Sequence, residues 1–421
     1  MEVYIALAIF VAAYALIASD RIERTLAALL GALLMIVLGV LDQEEAFEAI
    51  DLEVIFLLAG MMILAGILRR TGFLQWIAIR AVKIVRGDPV RLLIALCVVA
   101  AVLSALLDNV TTVVLIAPVT VYIASVMRIS PVPYLVAEIL ASNIGGTATL
   151  IGDPPNILIG AASGLSFAEF LLNLAPIIIV IFAVFLATVV VFFRKDLAVN
   201  PDVRDALMEI DERSFIADHP LLRLSLLVIG LTLLGFLLSG ALGLEPATIA
   251  LLGAVTLILL ARVPLDEALR EVEWPTLFFF VGLFMLVQGI VHVGIVESLG
   301  DALLQVTRGD PTITTIALLW LSGIASAIID NIPYTATMIP IVVQMGDAGI
   351  PIEPLWWSLA LGACLGGNAT IVGASANIVV ANISAGAGHP ILFRQYFRYG
   401  AIVVVESLVV SSLYLWLRYL S

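Results

Sequence analysis

Long apolar runs separated by short polar stretches make up most of this 421-residue chain. Eight of them read as full membrane crossings: Val3–Ala18, Leu26–Leu41, Val54–Leu68, Phe167–Phe193, Leu222–Leu238, Ala247–Leu260, Thr276–Val291 and Ala401–Leu417. A crossing helix needs about 20 mostly apolar residues, so polar flanks are expected to complete the shorter runs. Four further apolar regions, Leu92–Met127, Tyr134–Gly160, Ile313–Val343 and Leu355–Val380, are interrupted near their middles by Asp-Asn, by Gly-Gly, or by Gly with Asn and Pro. Backbone at such a break would leave N–H and C=O groups unpaired if it faced lipid, at a cost of several kcal/mol each. The breaks must face protein or a wet cavity.

The breaks come in pairs. Read at an offset of 222, Arg86–Pro118 and Arg308–Pro340 are identical at 12 of 33 positions. The matches include Arg-Gly-Asp-Pro at both starts, Ser104-Ala105 with Ser326-Ala327, and Asp108-Asn109 with Asp330-Asn331. At an offset of 221, Gly145-Gly146-Thr147-Ala148-Thr149 meets Gly366-Gly367-Asn368-Ala369-Thr370, Gly152 meets Gly373, and Asn156 meets Asn377. Two ordered polar blocks at nearly one offset mark a duplication. The expected organisation is an N-terminal transmembrane repeat over 1–200, a cytoplasmic linker over 201–220 and a C-terminal transmembrane repeat over 221–421.

Duplicated halves with paired broken segments suggest an alternating-access transporter. If Leu92–Met127 is a re-entrant hairpin and Tyr134–Gly160 is one discontinuous crossing, each half crosses five times. Five is odd, so the second half is upside down. The fold class expected is an all-α polytopic membrane protein of two inverted repeats of five transmembrane helices, each with a re-entrant hairpin and a discontinuous helix. Two full crossings in place of each hairpin would leave every loop on the same side.

Composition agrees with lipid as the solvent. Apolar residues make up 62% and charged residues only 13%, against about 25% charged in soluble domains. At a mean hydropathy of +1.16 there is too little polar material for a soluble skin. The net charge of −13 matters less than its placement. The topology puts 18 of the 20 Lys and Arg on one side, leaving Arg308 and Arg418 on the other. The basic side is then cytoplasmic, and the cell-membrane protein has both termini extracytoplasmic. The first run lacks the positive leader of a secretory signal and reads as retained. Arg69–Arg86 mixes basic, aromatic and aliphatic residues like an interfacial helix, serving as an anchor or as a coupler of hairpin motion.

Several chemistries are disfavoured. Cys97 and Cys364 form no CxxC unit, so neither a disulfide scaffold nor a zinc site is indicated. His219, His292 and His389 have no ligand spacing, and no basic patch suits nucleic acid. No Walker loop, dinucleotide fingerprint or Ser-His-Asp set is present. The chain reads as a secondary transporter with no enzyme activity, no catalytic residues, no metal and no cofactor.

The candidate chemistry sits at the breaks. Asp108-Asn109 with Thr111 and Thr112, and Asp330-Asn331 with Thr335 and Thr337, lie deep in apolar sequence. Charges there are costly unless they face the bundle interior or a cavity. Their oxygens suit a cation or proton, while Asn amides and free N–H groups suit hydroxyls or an anion; each Asp could also simply cap the following helix. Gly146–Asn156 is the densest signal, with glycines for close approach or left-handed backbone and Pro154-Pro155 to unwind the crossing. Asp153 has no acidic mate, since Ala374 stands opposite it, and is the first candidate for proton or sodium coupling; a loop or capping carboxylate is the plainer role. Glu138, opposite Leu359, is a further coupling candidate near the cytoplasmic mouth. Glu169 and Glu406 are expected near crossing ends.

As an ensemble, Leu107-Asp108-Asn109 with Thr111-Thr112 and Pro118, Asn143–Ala148 through Gly152–Asn156, Asp330-Asn331 with Pro333 and Pro340, and Gly366–Asn377 resemble the arsenite permease and sodium/proton antiporter group of the ion transporter superfamily. The resemblance implies inverted repeats, re-entrant hairpins with polar tips, and a central site between tips and unwound helices. It implies proton-coupled efflux of arsenite and antimonite across the cytoplasmic membrane, that is arsenical resistance, sometimes with a separate arsenite ATPase. Sodium/proton antiport, or carriage of another anion or metabolite, is the alternative. On this reading Asn109, Thr111, Thr147, Thr149, Asn156, Asn331, Asn368, Thr370 and Asn377 bind substrate. Asp108, Asp153 and Asp330 couple the ion, and membrane lipid, arsenite or antimonite and protons or Na+ are the partners. Relatives that carry dicarboxylates have Ser-Asn-Thr at both tips; two aspartates in place of serine would repel such a substrate.

Overall fold

The computed structural model describes residues 1–19, 21–86, 88–194 and 212–421, and every regular element among them is helical. Of the expected 201–220 linker, residues 201–211 lie outside the described residues. The first stretch runs α1 (Glu2–Ser19), α2 (Arg24–Val37), α3 (Gln43–Glu48), α4 (Leu52–Arg70), α5 (Phe73–Ile84), α6 (Pro89–Leu106), α7 (Asn109–Met127), α8 (Val132–Gly146), α9 (Pro154–Ser163) and α10 (Phe167–Phe193). After a short 3-10 turn at Glu212–Phe215 the second runs α11 (His219–Leu237), α12 (Pro246–Ala261), α13 (Leu265–Leu269), α14 (Trp274–His292) and α15 (Ile295–Thr307). It continues with α16 (Pro311–Ser326), α17 (Asn331–Asp347), α18 (Ile352–Gly366), α19 (Ser375–Gly386) and α20 (Phe393–Leu415). Apart from one short turn at Ser239–Leu242, each helix of the first stretch has its counterpart ten places later.

The Arg-Gly-Asp-Pro repeat is helix punctuation. Arg86 and Arg308 sit in the left-handed region at φ of 52° and 56°, ending one helix. Asp88 and Asp310 then cap the next, accepting from Arg91 N–H (2.9 Å) and Ile313 N–H (2.8 Å), with Pro89 and Pro311 at the first helical position. Proline costs nothing there because its missing N–H would have no partner.

Among the described residues eight apolar helices are long enough to cross a membrane, and the chain is a multi-pass integral membrane protein. They are not quite the eight the hydrophobic pattern selects. α6 and α7 qualify, whereas α2 and α12 fall short at 14 and 16 residues. Polar flanks do not extend α2, which is capped by Glu23 through Leu26 N–H (3.3 Å) and followed at Gly39 by a left-handed turn. Two crossings are discontinuous: α8 stops at Gly146 before α9, and α18 stops at Gly366 before α19. α10 and α11 turn Leu172, Ile179, Val191, Leu227 and Leu231 outward, where lipid is their solvent.

Between the two stretches the packing is crossed. α2 lies against α14 and α4 against α12. Small residues set both contacts, as expected where lipid supplies no hydrophobic drive between helices. A Cβ on Gly60 would stand 2.8 Å from the Ala250 carbonyl carbon, and one on Gly282 would stand 2.8 Å from that of Ala28. Ala28 and Ala250, like Gly60 and Gly282, are 222 positions apart. At one end Thr25 Oγ1 donates to Pro275 O (2.8 Å), and Arg70 joins Glu267 and Glu271 (2.6 and 2.8 Å). At the other, Gln288 and His292 meet Glu45 (2.9 Å each). α5, expected at the interface, packs on α6 and α7, and its Arg80 pairs with Glu212 (2.5 Å).

Candidate functional site

Two helix starts converge on one carboxylate. α7 and α17 begin at Asn109 and Asn331, each directly after an aspartate that caps its helix. Thr111 N–H donates to Asp108 Oδ1 (2.8 Å) and Ile332 N–H to Asp330 Oδ1 (3.1 Å). From these tips Asn109 Nδ2 donates to Asp153 Oδ1 (3.2 Å), and Asn331 Nδ2 lies 3.3 Å from both Asp153 oxygens. Asp153 is fully buried. It precedes α9 but makes no side-chain capping bond; its carboxylate is where the two tips meet.

The equivalent break before α19 has Ala374 in place of the acid, and a cation stands beside it instead. Arg24 Nη1, from the first turn of α2, donates to Asp330 Oδ2 (2.9 Å) and to Ser375 Oγ (2.6 Å), and Ser375 Oγ donates to Asp330 Oδ2 (3.0 Å). Sequence reasoning counted Arg24 only among the basic residues of one face. Its signal was positional: a cation at a helix N-terminus opposes the macrodipole and calls for a partner elsewhere.

Most other candidates hold the breaks in shape. Asn156 Nδ2 donates to Thr147 O and Thr149 O (3.1 and 2.9 Å), and Asn377 Nδ2 to Gly367 O and Thr370 O (2.8 Å each). Thr149 Oγ1 ties its break to Ala105 O (2.6 Å), and Thr370 Oγ1 ties its own to Ala327 O (2.7 Å). Thr147 Oγ1 turns back to Asn143 O (2.7 Å). Asn143, quoted within the motif but given no role, links Asn109 Nδ2 (3.3 Å) to the carboxamide oxygens of Asn368 and Asn377 (2.9 Å each). The glycines are there for close approach. A Cβ on Gly146 would sit 2.6 Å from Gly152 O, and one on Gly366 2.4 Å from Gly323 O; neither has a positive φ.

A cavity of about 300 Å³ opens at the tips. Asp108, Asn109, Asp153 and Asn331 line it together with Arg24 and Ser375. Glu23, Glu273 and Thr276 form its polar rim, and Leu58, Met62 and Phe279 its apolar wall. Thr111, Thr147, Thr149, Asn156, Asn368, Thr370 and Asn377 do not line it, and Asp330 reaches it through Arg24. A second cavity, of about 370 Å³, lies at the starts of α4 and α12, with Glu53 and Glu245 facing Leu150 and Ile157 of the first break. Glu245 is the counterpart of Glu23, 222 positions on.

Three side chains differ from expectation or bear on it. Glu169 caps α10 in a box with Ser166, near a crossing end as expected. Glu406 instead lies in the middle of α20, accepting from Thr188 Oγ1 (2.7 Å). The Cys364 thiol is buried and donates to Asn156 Oδ1 (3.4 Å).

A family model described as citrate transporter matches residues 14–362. Over 424 residues the chain is 45% identical to the 46 kDa membrane protein of Mycobacterium leprae, covering 99% of each. Over 423 residues it is 45% identical to an uncharacterized transporter of Mycobacterium tuberculosis, covering 99% of this chain and 98% of that one. The human P protein is 35% identical over 499 residues, 98% of this chain and 60% of its own length. Among solved structures, the YdaH transporter of Alcanivorax borkumensis is similar in fold at a TM-score of 0.60 and 14% identity, over 99% of this chain and 97% of that one.

These findings overturn the resemblance to the arsenite permease and sodium/proton antiporter group. Arsenite and antimonite as partners, arsenical resistance and an associated arsenite ATPase fall with it. The physical reason lies in the motifs that carried the resemblance. The Asp-Asn tips and the Gly-Asn-Thr breaks are largely caps and staples, so they trace the scaffold and leave the cargo open.

Proposed function

We propose, from the premise that this chain belongs to the citrate transporter family and is a secondary transporter rather than an enzyme, that it carries a small organic anion of the citrate type together with protons or Na+. The observation that carries this reading is Arg24, the one basic side chain lining the cavity among the described residues. A guanidinium offers a planar fork of donors suited to a carboxylate. Asn109 and Asn331 add amide donors around it. At about 300 Å³ the space is at the small end of the ~300–1,000 Å³ usual for ligand sites.

The expected repulsion of a dicarboxylate is answered in two ways. Arg24 offsets Asp330 directly. Asp108, Asp153, Glu23 and Glu273 still outnumber the single cation, so an anion enters with cations that neutralise them. Asp153 is the coupling group on this reading, with Asp108 and Asp330 as the acidic ends of the moving tips. The carboxylate-rich lining also favours a second reading, Na+/H+ antiport without an organic substrate.

The halves 1–200 and 221–421 are read as inverted repeats of five crossings. The recurring helix order and the paired Gly60–Ala250 and Gly282–Ala28 contacts support this. The cavity mouth at the starts of α2 and α14 is then on the basic, cytoplasmic side, and the cavity bordered by Glu53 and Glu245 is the opposite vestibule. Purified protein in liposomes tests the substrate class. Labelled citrate should accumulate under an inward proton or Na+ gradient and should exchange with citrate inside. Sodium-driven proton movement with no citrate uptake or binding would reject the organic-anion reading in favour of antiport.

A further inference from the structure

We propose that Glu138 is a proton-binding site of the carrier, set apart from the substrate cavity and loaded and emptied once in each transport cycle. The proposal rests on the carrier reading above. Glu138 lies in α8, a helix buried along its length, and is itself 1% exposed. Thr120 Oγ1 of α7 donates to its Oε1 at 2.5 Å, and its Oε2 has no partner. Among the described residues Glu138 forms no ion pair.

What surrounds the carboxyl argues against a merely structural role. The Cys97 thiol on α6 is the titratable group beside it. One turn back on α8 is Tyr134, whose hydroxyl is occupied by Pro89 O (3.5 Å). Among the described residues no charged side chain of α6, α7, α10, α18, α19 or α20 pairs with or hydrogen-bonds Glu138, whose hydrogen-bond partner is Thr120. An ionised carboxylate in such a place lacks both water and a counter-charge. A protonated one has an O–H to spend and no net charge. The counterpart in the second half, Leu359, is fully buried in the same helix position, so the scaffold needs no acid there.

Its position is suited to signalling to the site without touching substrate. Asn143, five residues on and about 7.5 Å along the helix, belongs to the carboxamide chain that reaches Asn109, which holds Asp153. Thr120 shares α7 with the Asn109 tip. Pro118, inside that helix, removes a helical hydrogen bond and makes a hinge beside the carboxyl. Bending at Pro118 would admit water to Glu138 in one state and close it in the other. The proton passes between the carboxyl oxygen and that water, with no change of oxidation state.

The test uses Glu138→Gln, which keeps the shape and cannot release a proton, and Glu138→Leu, which copies the counterpart position. Both are first checked for a monodisperse peak in detergent. In liposomes, citrate exchange, which needs no net proton movement, should stay within about twofold of the parent for Glu138→Gln. Citrate accumulation driven by a proton gradient should fall at least tenfold. Unchanged proton-driven accumulation in either folded variant would overturn the proposal. Infrared difference spectroscopy during pH titration reads the site independently of cargo: a protonated-carboxyl band present in the parent should vanish in Glu138→Gln. A parent that carries no citrate but keeps this band rejects the organic-anion reading and leaves the proton site standing; a band unaffected by the substitution rejects the proton site.

Discussion

Asp153 and Arg24 divide the charge of the site between two equivalent breaks. At one, a fully buried carboxylate is held by carboxamides from both tips; at the other, a guanidinium is shared by Asp330 and Ser375. Asp153→Asn keeps the volume and can still accept from Asn109 and Asn331. The variant should insert and stay monodisperse while net citrate transport falls to the leak rate. Arg24→Gln loses the carboxylate partner and leaves Asp330 half-paired, so citrate affinity should fall at least tenfold, or about 1.4 kcal/mol. Arg24→Lys should recover only part of it, because an ammonium cannot grip Asp330, Ser375 and a carboxylate in one plane. Binding titration in detergent separates the two: Arg24 variants should weaken binding, whereas wild-type affinity in Arg24→Gln would remove this residue from substrate recognition.

At the scale of helices, the glycines decide what can approach what. Gly60→Leu would drive a side chain into the α12 backbone at Ala250, and overpacking of this kind costs about 1–3 kcal/mol or more. Expected are a lowered melting temperature and aggregation in detergent, matched by Gly282→Leu against α2. Equal damage at these two positions, with little effect at Gly230, where a Cβ meets open space, is the pattern that fluorescence-detected chromatography should show. Much at this scale was legible in the chain. Gly-Gly and Asp-Asn are local punctuation in both halves, and they placed the breaks before α9 and α19 and the starts of α7 and α17; the proline pair marks the first break alone. The length of α2 was not legible, because Gly39, the left-handed residue that ends it, sits inside the apolar run Leu26–Leu41 just as Gly31 does within the helix, and the sequence does not say which glycine stops it. Nor was Arg24, whose two partners lie 306 and 351 residues away in the chain. Caps are read locally, whereas partners across a bundle are not.

Over the whole molecule, the two cavities stand at opposite ends of the crossed helix pairs, one lined by Arg24 and Asp153, the other by Glu53, Glu245, Leu150 and Ile157. The orientation proposed for them can be read chemically. Cys97 and Cys364 are both fully buried, so replacing them by alanine gives a clean background for single cysteines. Tyr4→Cys and Ser421→Cys, both exposed near the chain ends, should react with an impermeant maleimide added outside intact cells. Leu265→Cys, at 60% exposure on the basic face, should react only after permeabilisation. The reverse pattern would turn the protein over and place the Arg24 cavity outside.

The crossed packing of α2 with α14 and of α4 with α12 also bears on how the molecule is made. The partner of Gly60 is Ala250, and 190 residues separate them. At about 5–20 residues per second, the newly inserted first half waits on the order of ten seconds or more with the faces of α2 and α4 unclaimed. The contacts of α2 with α14 and of α4 with α12 close only after the later helix of each pair has been inserted, so docking of the crossed pairs is expected to be a late step of assembly within the bilayer.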